Sequence, residues 1–445
     1  MNNFKKSLQE LLRYPSAIIG GIFILMLIGV AIYAVISIPY QKAIDLWRGG
    51  EDVWYRNPKN VPPEWFNLFS SKKQPASLYI NATHGNYKKT VVDNPDGTKQ
   101  ITLTYTFNYQ ADGFPQEMSL YFNNTYSSKQ PYVTIHWLAP GERNIPVDNL
   151  GVAHAQTFRF GQNKNLLNQF AGQNPVIGLF TYTDPKNPVK GQYQVVIDGT
   201  TYEPDADIDA EFVLYGRVYG LAGTDMYRRD LMVALLWGIP IALIFGLAAA
   251  LGTSVLTMII AAFGAWYQGW LDELIQRITE VNLVLPFLSI LIMIGTFYSR
   301  SIWTILGATI ALSIFTGSIK SYRAIFLQVR ESMYIEAARA YGASDLRIIF
   351  QYLIPRMIPL LLPALVSSVP AFVFLEATLA VLGLGDPVLP TWGKIIDDAW
   401  ANGALYKGYY YWILEPAVLL VITGLAFALL GFALDRIFNP RLRGM

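Results

Sequence analysis

The chain has 445 residues, of which 53% are hydrophobic and only 15% are charged, whereas about a quarter of the residues in an average soluble domain are charged. Its net charge of +2 lacks the basic excess that is typical of a nucleic-acid-binding protein, so we expect no nucleic acid among its partners. Cysteine is absent, which excludes disulfides, thiolate metal sites and cysteine nucleophiles. The mean hydropathy of +0.30 indicates a membrane protein.

The first apolar segment runs from Ser16 to Ile38 without a charged residue, and it follows Lys5, Lys6 and Arg13. About 20 apolar residues are needed to cross a bilayer as a helix. A signal peptide shares the basic start, but its apolar region covers only about 7–15 residues and ends in a small-residue cleavage site. The segment therefore predicts a retained transmembrane helix with its basic N-terminus in the cytoplasm.

Residues 40–220 differ from the apolar segments, because Pro and Gly interrupt them and strand-like alternation recurs. Thr102, Thr104 and Thr106 alternate with large apolar residues, a period of two that is typical of a strand. About 180 residues are enough to bury a core of their own. The pattern predicts a β-rich extracytoplasmic domain inserted between helices 1 and 2, with most of its aromatic side chains in the core.

Five further apolar segments bring the predicted number of transmembrane helices to six. They are Leu231–Ala265, Leu283–Phe297, Ile302–Ile319, Met357–Leu382 and Ile413–Leu434. Six crossings return the C-terminus to the cytoplasm, and the basic segment 320–356 and the basic tail fall on that side, as the positive-inside rule requires. The predicted fold is an α-helical polytopic membrane protein divided into residues 1–39, 40–220 and 221–445.

The predicted cytoplasmic segment after the fourth span begins with a short helix. Glu336, Ala337, Ala338 and Arg339 lie in a run of strong helix formers, and Gly342 suits the left-handed position just past a helix end. The alanines allow another surface to approach closely. Glu336 and Arg339 lie three residues apart and share a helix face, where they can form ion pairs across a contact.

A second short helix is predicted over 346–353. Ser344 or Asp345 can cap its start, and Pro355 is expected to end it before the next span begins. We call residues 331–355 the elbow. Two helices joined by a glycine on the cytoplasmic face form a unit that can transmit force to the membrane helices.

The elbow resembles the EAA loop of ABC importer permeases, which has the pattern EAA-x3-G-x9-I-x-L-P. Glu336–Ala338, Gly342 and Pro355 match at the required spacing. Tyr352 and Ile354 replace the Ile and Leu of the pattern. An EAA triplet alone carries no information, but the spaced glycine and proline between two predicted spans make this resemblance specific.

Other stretches resemble one branch of that family, the C-type subunit of dipeptide and oligopeptide importers. Arg228 replaces a glycine of the branch, which leaves the backbone geometry of that turn open. The resemblance is loose over 1–38, extends over 216–445 and leaves out the β-rich domain. The matching stretches are 223–230 (G-T-D-x-x-G-R-D), 375–385 (L-E-A…L-G-L-G), 391–393 (T-W-G) and 439–443 (D-P-R-L-R, with Asn for Asp).

The resemblance implies a transport subunit and not an enzyme. The elbow, or coupling helix, would lie in a groove of a cytoplasmic ABC ATPase, and closure of two such ATPases would switch the permease between outward and inward access. The chain has no G-x4-G-K-[ST] motif, so ATP and Mg are expected on those separate subunits and no cofactor on this chain. A second homologous permease, forming a heterodimer, and an extracytoplasmic substrate-binding protein complete the implied assembly in the inner or cytoplasmic membrane.

Glu376 falls within the fifth predicted span, and two roles remain open for it. Intramembrane carboxylates are costly and frequently functional, which favours a residue that lines or gates the translocation path. The alternative is a structural hydrogen bond to a neighbouring helix, or a position near the outer interface.

An acidic alternation in the β-rich region is the strongest metal-like pattern of the sequence. An EF-hand loop that starts at Asp205 requires Gly at its sixth position and Glu at its twelfth, where this chain has Ala210 and Gly216. We therefore predict the solvated face of a strand and no metal site. The alternating residues are Glu203, Asp205, Asp207, Asp209 and Glu211.

Two other classes of protein remain as alternatives. An ion-coupled secondary transporter predicts activity without an ATPase and more charges within the spans. A membrane receptor shares the arrangement of helix, external domain and helix, but it does not account for four further spans. The resemblance implies peptides as substrates, and related importers also carry oligosaccharides.

Overall fold

The computed structural model describes residues 13–182 and 186–438. The chain forms two compact units, one from residues up to Arg48 together with those from Val233 onward, and one from Gly49–Met232. The predicted basic residues Lys5 and Lys6, and the predicted C-terminal motif, lie outside the described residues.

The chain enters the first unit through a long apolar helix, α1 (Pro15–Ser37), with a proline in its first turn, where a missing N–H costs nothing. Its 23 residues correspond to about 35 Å, enough to cross a bilayer. Helix α2 (Tyr40–Arg48) follows and is amphipathic, with Ala43, Ile44 and Trp47 buried.

The second unit consists of two antiparallel sheets and several short helices. The four-stranded sheet has the order β1-β9-β4-β7, and the five-stranded sheet has the order β2-β3-β8-β5-β6. The strands are β1 (Leu78–Ile80), β2 (Asn86–Asp93), β3 (Lys99–Tyr109), β4 (Glu117–Asn123), β5 (Tyr132–Ala139), β6 (Arg143–Gly151), β7 (Ala155–Arg159), β8 (Gly191–Thr201) and β9 (Ala210–Tyr215). The helices are α3 (Glu51–Trp54), α4 (Lys164–Gln169) and α5 (Pro175–Phe180), with 3₁₀ turns at Glu64–Leu68 and Phe160–Gln162.

Alternation along the long strands builds the core of this unit. In β3, every second residue from Ile101 to Tyr109 is buried, while the threonines between them face the other side. The ring of Phe107 stacks on Tyr193 of the same sheet at 5.7 Å and on Phe212 of the other sheet at 5.5 Å. The β-rich character and the aromatic core that the sequence predicts are confirmed.

The acidic alternation is not the solvated strand face that the sequence predicts. Its first four residues lie in the connection between β8 and β9, and only Glu211 lies in a strand. The Glu211 carboxylate accepts two hydrogen bonds from Arg56, at 2.6 and 2.7 Å, and Asp207 pairs with Lys89 at 2.7 Å. Two of the five carboxylates, those of Asp207 and Glu211, therefore form ion pairs, while Asp205 is exposed. Among the described residues, no group of three His, Asp or Glu side chains is arranged to hold a metal ion.

The Glu203 carboxylate makes stability depend on pH. It accepts hydrogen bonds from the backbone N–H groups of Ser127, Ser128 and Lys129 at 2.5–2.7 Å, which lower its pKa from 4.5 to about 2. Because the folded state holds the charged form, this stabilisation is complete above about pH 4.5 and is lost as pH falls towards 2.

We expect Glu203→Gln to lower the melting temperature at pH 6. The variant should also show a smaller fall in melting temperature between pH 6 and pH 3, measured by thermal unfolding in detergent. Asp205→Asn, in the same connection, is the control, and an unchanged pH profile in Glu203→Gln would contradict this assignment.

The remainder of the first unit is helical. Four of the described helical segments are long and apolar enough to cross a membrane, and two bent helix pairs raise the number of candidate spans to as many as six. The helices are α6 (Leu231–Tyr267), α7 (Gly269–Val284), α8 (Phe287–Phe297), α9 (Ile302–Ile314), α10 (Gly317–Arg330), α11 (Met333–Ala340), α12 (Asp345–Ile348), α13 (Ile354–Leu379), α14 (Trp392–Ala401) and α15 (Tyr411–Phe438). A multi-pass helical membrane fold with a β-rich region is therefore confirmed.

Two predicted spans are not single straight helices. The pair α7 and α8 bends by 81° before Pro286, where Leu285 takes the extended conformation that a following proline favours. The pair α9 and α10 bends by 49° at Phe315 and Thr316, so the predicted helix Ile302–Ile319 is interrupted. The side-chain amide of Asn282 donates to the carbonyls of Leu312 and Phe315 at 2.8 Å, which provides partners for carbonyls at this break.

The predicted end of a helix at Pro355 is wrong. Helix α12 continues through a π-helical segment, Ile349–Leu353, directly into α13, and Pro355 lies in the first turn of α13. The N–H of Ile354 donates to the carbonyl of Ile349, five residues earlier. The helix therefore already has the π-type hydrogen-bond pattern just before Pro355. A second π-helical segment, Ala380–Leu384, follows α13.

Candidate functional site

The elbow begins with helix α11, which ends at a glycine. Gly342 has φ +77°, the left-handed conformation that the sequence predicts for it. The N–H of Gly342 donates to Arg339 at 2.8 Å, and the N–H of Ala343 donates to Ala338 at 3.0 Å. These two bonds form a Schellman motif, which ends the helix and turns the chain towards α12. Ser344 occupies the N-cap position of α12 without a side-chain hydrogen bond.

One side of the elbow is anchored in the helical unit. Ile335, Ile348 and Ile349 are fully buried in a cluster with Ala262 and Ala265 of α6. Burial of such side chains contributes about 1.5–3 kcal/mol each. The elbow therefore has a fixed position relative to α6.

The other side of the elbow is exposed. Glu336, Ala337 and Ala340 are exposed, and Ala338 is half-buried. Two large side chains stand beside them in solvent, Met333 with 88% of its surface exposed and Tyr341 with 93%. An exposed patch that combines small residues with large apolar ones is typical of a surface that binds another protein.

Arg339 has a partner that sequence reasoning missed. Its guanidinium carbon lies 4.3 Å from the ring centroid of Trp266, near the end of α6, in a cation–π contact. In the described part of the chain no ion pair joins Glu336 and Arg339, so the carboxylate remains exposed. The sequence shows only that Trp266 lies at the end of an apolar span. The contact between Trp266 and Arg339 is visible only in the tertiary structure.

Glu376 is separate from the elbow, because it lies 21 residues after Pro355, about 32 Å along α13. Only 7% of its surface is exposed, and its carboxylate interacts with the side chain of Thr391. The Thr391 hydroxyl oxygen also accepts from the N–H of Lys394 at 3.2 Å and so caps α14. This geometry favours the structural alternative for Glu376, a link between α13 and α14.

The turn at 223–230 keeps a glycine-like backbone without the glycine. Arg228 has φ +65°, a left-handed conformation that is uncommon for a residue with a Cβ. Its guanidinium carbon lies 4.5 Å from the ring centroid of Tyr215 and its side chain donates to the carbonyl of Asn57, contacts that offset the strain. The turn is also held by Arg229, which pairs with the buried Asp225 at 2.5 Å.

The comparisons with known proteins agree with this architecture. Residues 254–444 match the model of a family described as the binding-protein-dependent transport system inner membrane component. A Brucella suis protein assigned as a peptide transport system permease is 33% identical over 225 residues, which cover 50% of this chain and 74% of that protein. The oligopeptide transport system permease protein OppC of Bacillus subtilis is 30% identical over 226 residues, which cover 50% of this chain and 72% of that protein. The dipeptide transport system permease protein DppC of the same organism is 29% identical over 222 residues, which cover 50% of this chain and 68% of that protein.

The matched region contains the elbow, α13 and the Glu376–Thr391 link. The chain belongs to the family of binding-protein-dependent transport system inner membrane components, and within it to the permeases of peptide ABC importers. It is therefore a multi-pass membrane protein of a transport system.

Proposed function

We propose that this chain is one of two permease subunits that together form the translocation path of an ATP-driven peptide importer. The observation that carries the proposal is the elbow, an anchored helix pair with an exposed outer face. The names of the relatives support di- and oligopeptides as the substrate class. ATP and Mg bind to the partner ATPases and not to this chain.

The exposed face of the elbow binds an ATPase subunit. Glu336, Ala337 and Ala338 form the contact together with Met333 and Tyr341. Gly342 sets the angle between the two helices, Arg339 fixes α11 to Trp266, and Pro355 lies where the elbow joins α13. Since α12 runs without a break into α13, a displacement of the elbow moves a helix that crosses the membrane.

We further propose a topology of six spans with both termini in the cytoplasm and residues 40–220 outside, where a substrate-binding protein delivers the peptide. Each bent helix pair then counts as one span. The domains are residues 1–39, 40–220 and 221–445, and the compact unit Gly49–Met232 supports this division.

Uptake into proteoliposomes tests the proposal. The chain is co-purified with its partner permease, both ATPases and the binding protein, and uptake of a labelled dipeptide is followed with and without ATP. We expect uptake that requires ATP and both ATPases and that persists when ionophores collapse the proton and sodium gradients. Uptake that continues without the ATPases and stops with the ionophores would instead show an ion-coupled secondary transporter.

A further inference from the structure

A polar cavity lies among the apolar helices of the first unit. Its volume is about 290 Å³, and α6, α13 and the bend between α9 and α10 form its walls. Most of its lining side chains carry a hydroxyl group, and none of them is charged. Ser318 and Ala364 are exposed, so the cavity is open at that side. The lining hydroxyl residues include Thr253, Ser254, Ser313, Thr316 and Ser368.

The cavity lies near the middle of the helices that form it. Ser368 is 12 residues from Arg356, about 18 Å along the helix, and 16 residues from Leu384, about 24 Å. Thr253 is 14 residues, about 21 Å, from the end of α6 at Tyr267. The hydrocarbon core of a bilayer is about 30 Å thick, so both residues lie at hydrocarbon depth.

The hydroxyl groups leave hydrogen-bonding capacity on the cavity wall. Ser368 donates to the carbonyl of Leu365 at 2.7 Å, and Thr316 donates to the carbonyl of Ser313 at 3.3 Å, so their oxygens keep lone pairs for a further donor. Among residues 13–182 and 186–438, the buried hydroxyl of Thr253 has no hydrogen-bond partner. A buried polar group without a partner is unfavourable, so this arrangement indicates a polar occupant.

We propose that this cavity is a peptide-binding station within the translocation path, where serine and threonine oxygens accept hydrogen bonds from the main-chain N–H groups and the terminal ammonium of the passing peptide. This inference rests on the proposed function and adds the residues and the chemistry of recognition. Since every peptide has the same main chain and the wall has no charge, the station accepts side chains of either sign.

Single-cysteine labelling tests whether the cavity is hydrated and occupied during transport. The chain has no cysteine, so each introduced thiol is labelled without background from this subunit. In the assembled transporter, with any cysteines of the partner subunits replaced, we expect a membrane-impermeant cationic thiol reagent to modify Ser254→Cys and Ser368→Cys. Labelling should slow at least about threefold when a dipeptide-loaded binding protein and ATP drive turnover. Thr309→Cys is the matched control, because Thr309 is also buried, has no hydrogen-bond partner in the described part of the chain and does not line the cavity.

Removal of the hydroxyls gives the second measurement. We expect the double variant Thr253→Val with Ser368→Ala to lower the maximal rate of peptide uptake about tenfold, since two hydrogen bonds to the peptide are lost. Binding of peptide to the binding protein should be unchanged, and Thr309→Val should transport at the wild-type rate. Normal uptake by the double variant, or cavity cysteines that remain unlabelled, would overturn the proposal that this cavity binds the peptide. If the wild-type transporter shows no ATP-driven peptide uptake although the cavity cysteines are labelled, the proposed function fails and the peptide assignment falls with it.

Discussion

Gly342→Val is expected to abolish most ATP-driven uptake while the chain still inserts into the membrane. At φ +77° a residue with a Cβ costs about 1–2 kcal/mol, and the β-branched valine is at the unfavourable end of this range. No atom of another described residue beyond the two chain neighbours lies within 4 Å of a Cβ built at this position, so the penalty comes from the backbone conformation. The elbow must therefore change its angle, and we expect uptake to fall at least about tenfold while the ATPases continue to hydrolyse ATP. Parallel measurement of uptake and phosphate release checks this uncoupling.

Gly342→Asn provides the matched control. Asparagine adds a side chain of similar size but tolerates the left-handed conformation. We expect this variant to keep most of the uptake, which would separate the backbone angle from the bulk of the side chain. Uptake at the wild-type rate in Gly342→Val would show that the elbow angle does not couple ATP hydrolysis to transport.

The elbow shows how far local sequence determines local structure. Helix propensity, the position of Gly342 and the spacing to Pro355 predict a helix, its left-handed end and the start of a second helix, because each depends on residues within a few positions. The predicted end at Pro355 was wrong for a non-local reason. The widened turn at Ile349–Leu353 is buried against the rest of the unit at Ile349 and Leu353, and the helix continues through the proline.

The two bends show a second limit of sequence reasoning. A hydropathy pattern records that a segment is apolar, but it does not record whether the helix is straight. Pro286 was a local signal for the first bend. The second bend depends on Asn282, which reaches carbonyl groups some 30 residues later in the chain, and no local pattern predicts that contact.

The candidate site was also only partly predictable. The sequence located Glu336 through the spacing of the elbow motif and Arg339 through its place three residues later on the same helix face. It located Glu376 because a carboxylate is unusual within an apolar span. The partners of Arg339 and Glu376, which are Trp266 and Thr391, lie on other helices, so only the tertiary structure identifies them. The left-handed conformation of Arg228 also depends on a contact that the sequence pattern does not show, because its guanidinium lies over the ring of Tyr215, the last residue of β9.

Gly393→Val should strongly destabilise the helical unit, because α14 and α13 are in backbone contact at this glycine. A Cβ at this position would lie 2.7 Å from the Cα of Ala377, 2.9 Å from its carbonyl oxygen and 2.6 Å from the Cβ of Ala380. Backbone atoms cannot move aside independently, so α14 must shift. The shift separates Thr391 from Glu376 and breaks the hydrogen bond of the buried Trp392 indole to the carbonyl of Leu235, at 3.0 Å.

We expect this variant to lose about 3 kcal/mol or more of stability, since overpacking and an unpartnered buried carboxyl group both contribute. The measurement is the melting temperature of the detergent-purified chain, followed by fluorescence-detected size exclusion. Gly307→Val in α9 is the matched control, because a Cβ there meets no atom of the other helices that the structure describes within 4 Å. Thr391→Val removes the contact with Glu376 and the cap of α14 without the collision, so any further loss of stability in Gly393→Val measures the collision. If Gly393→Val melted like the wild type, the contact between α13 and α14 would not be the rigid support of Glu376 that the geometry indicates.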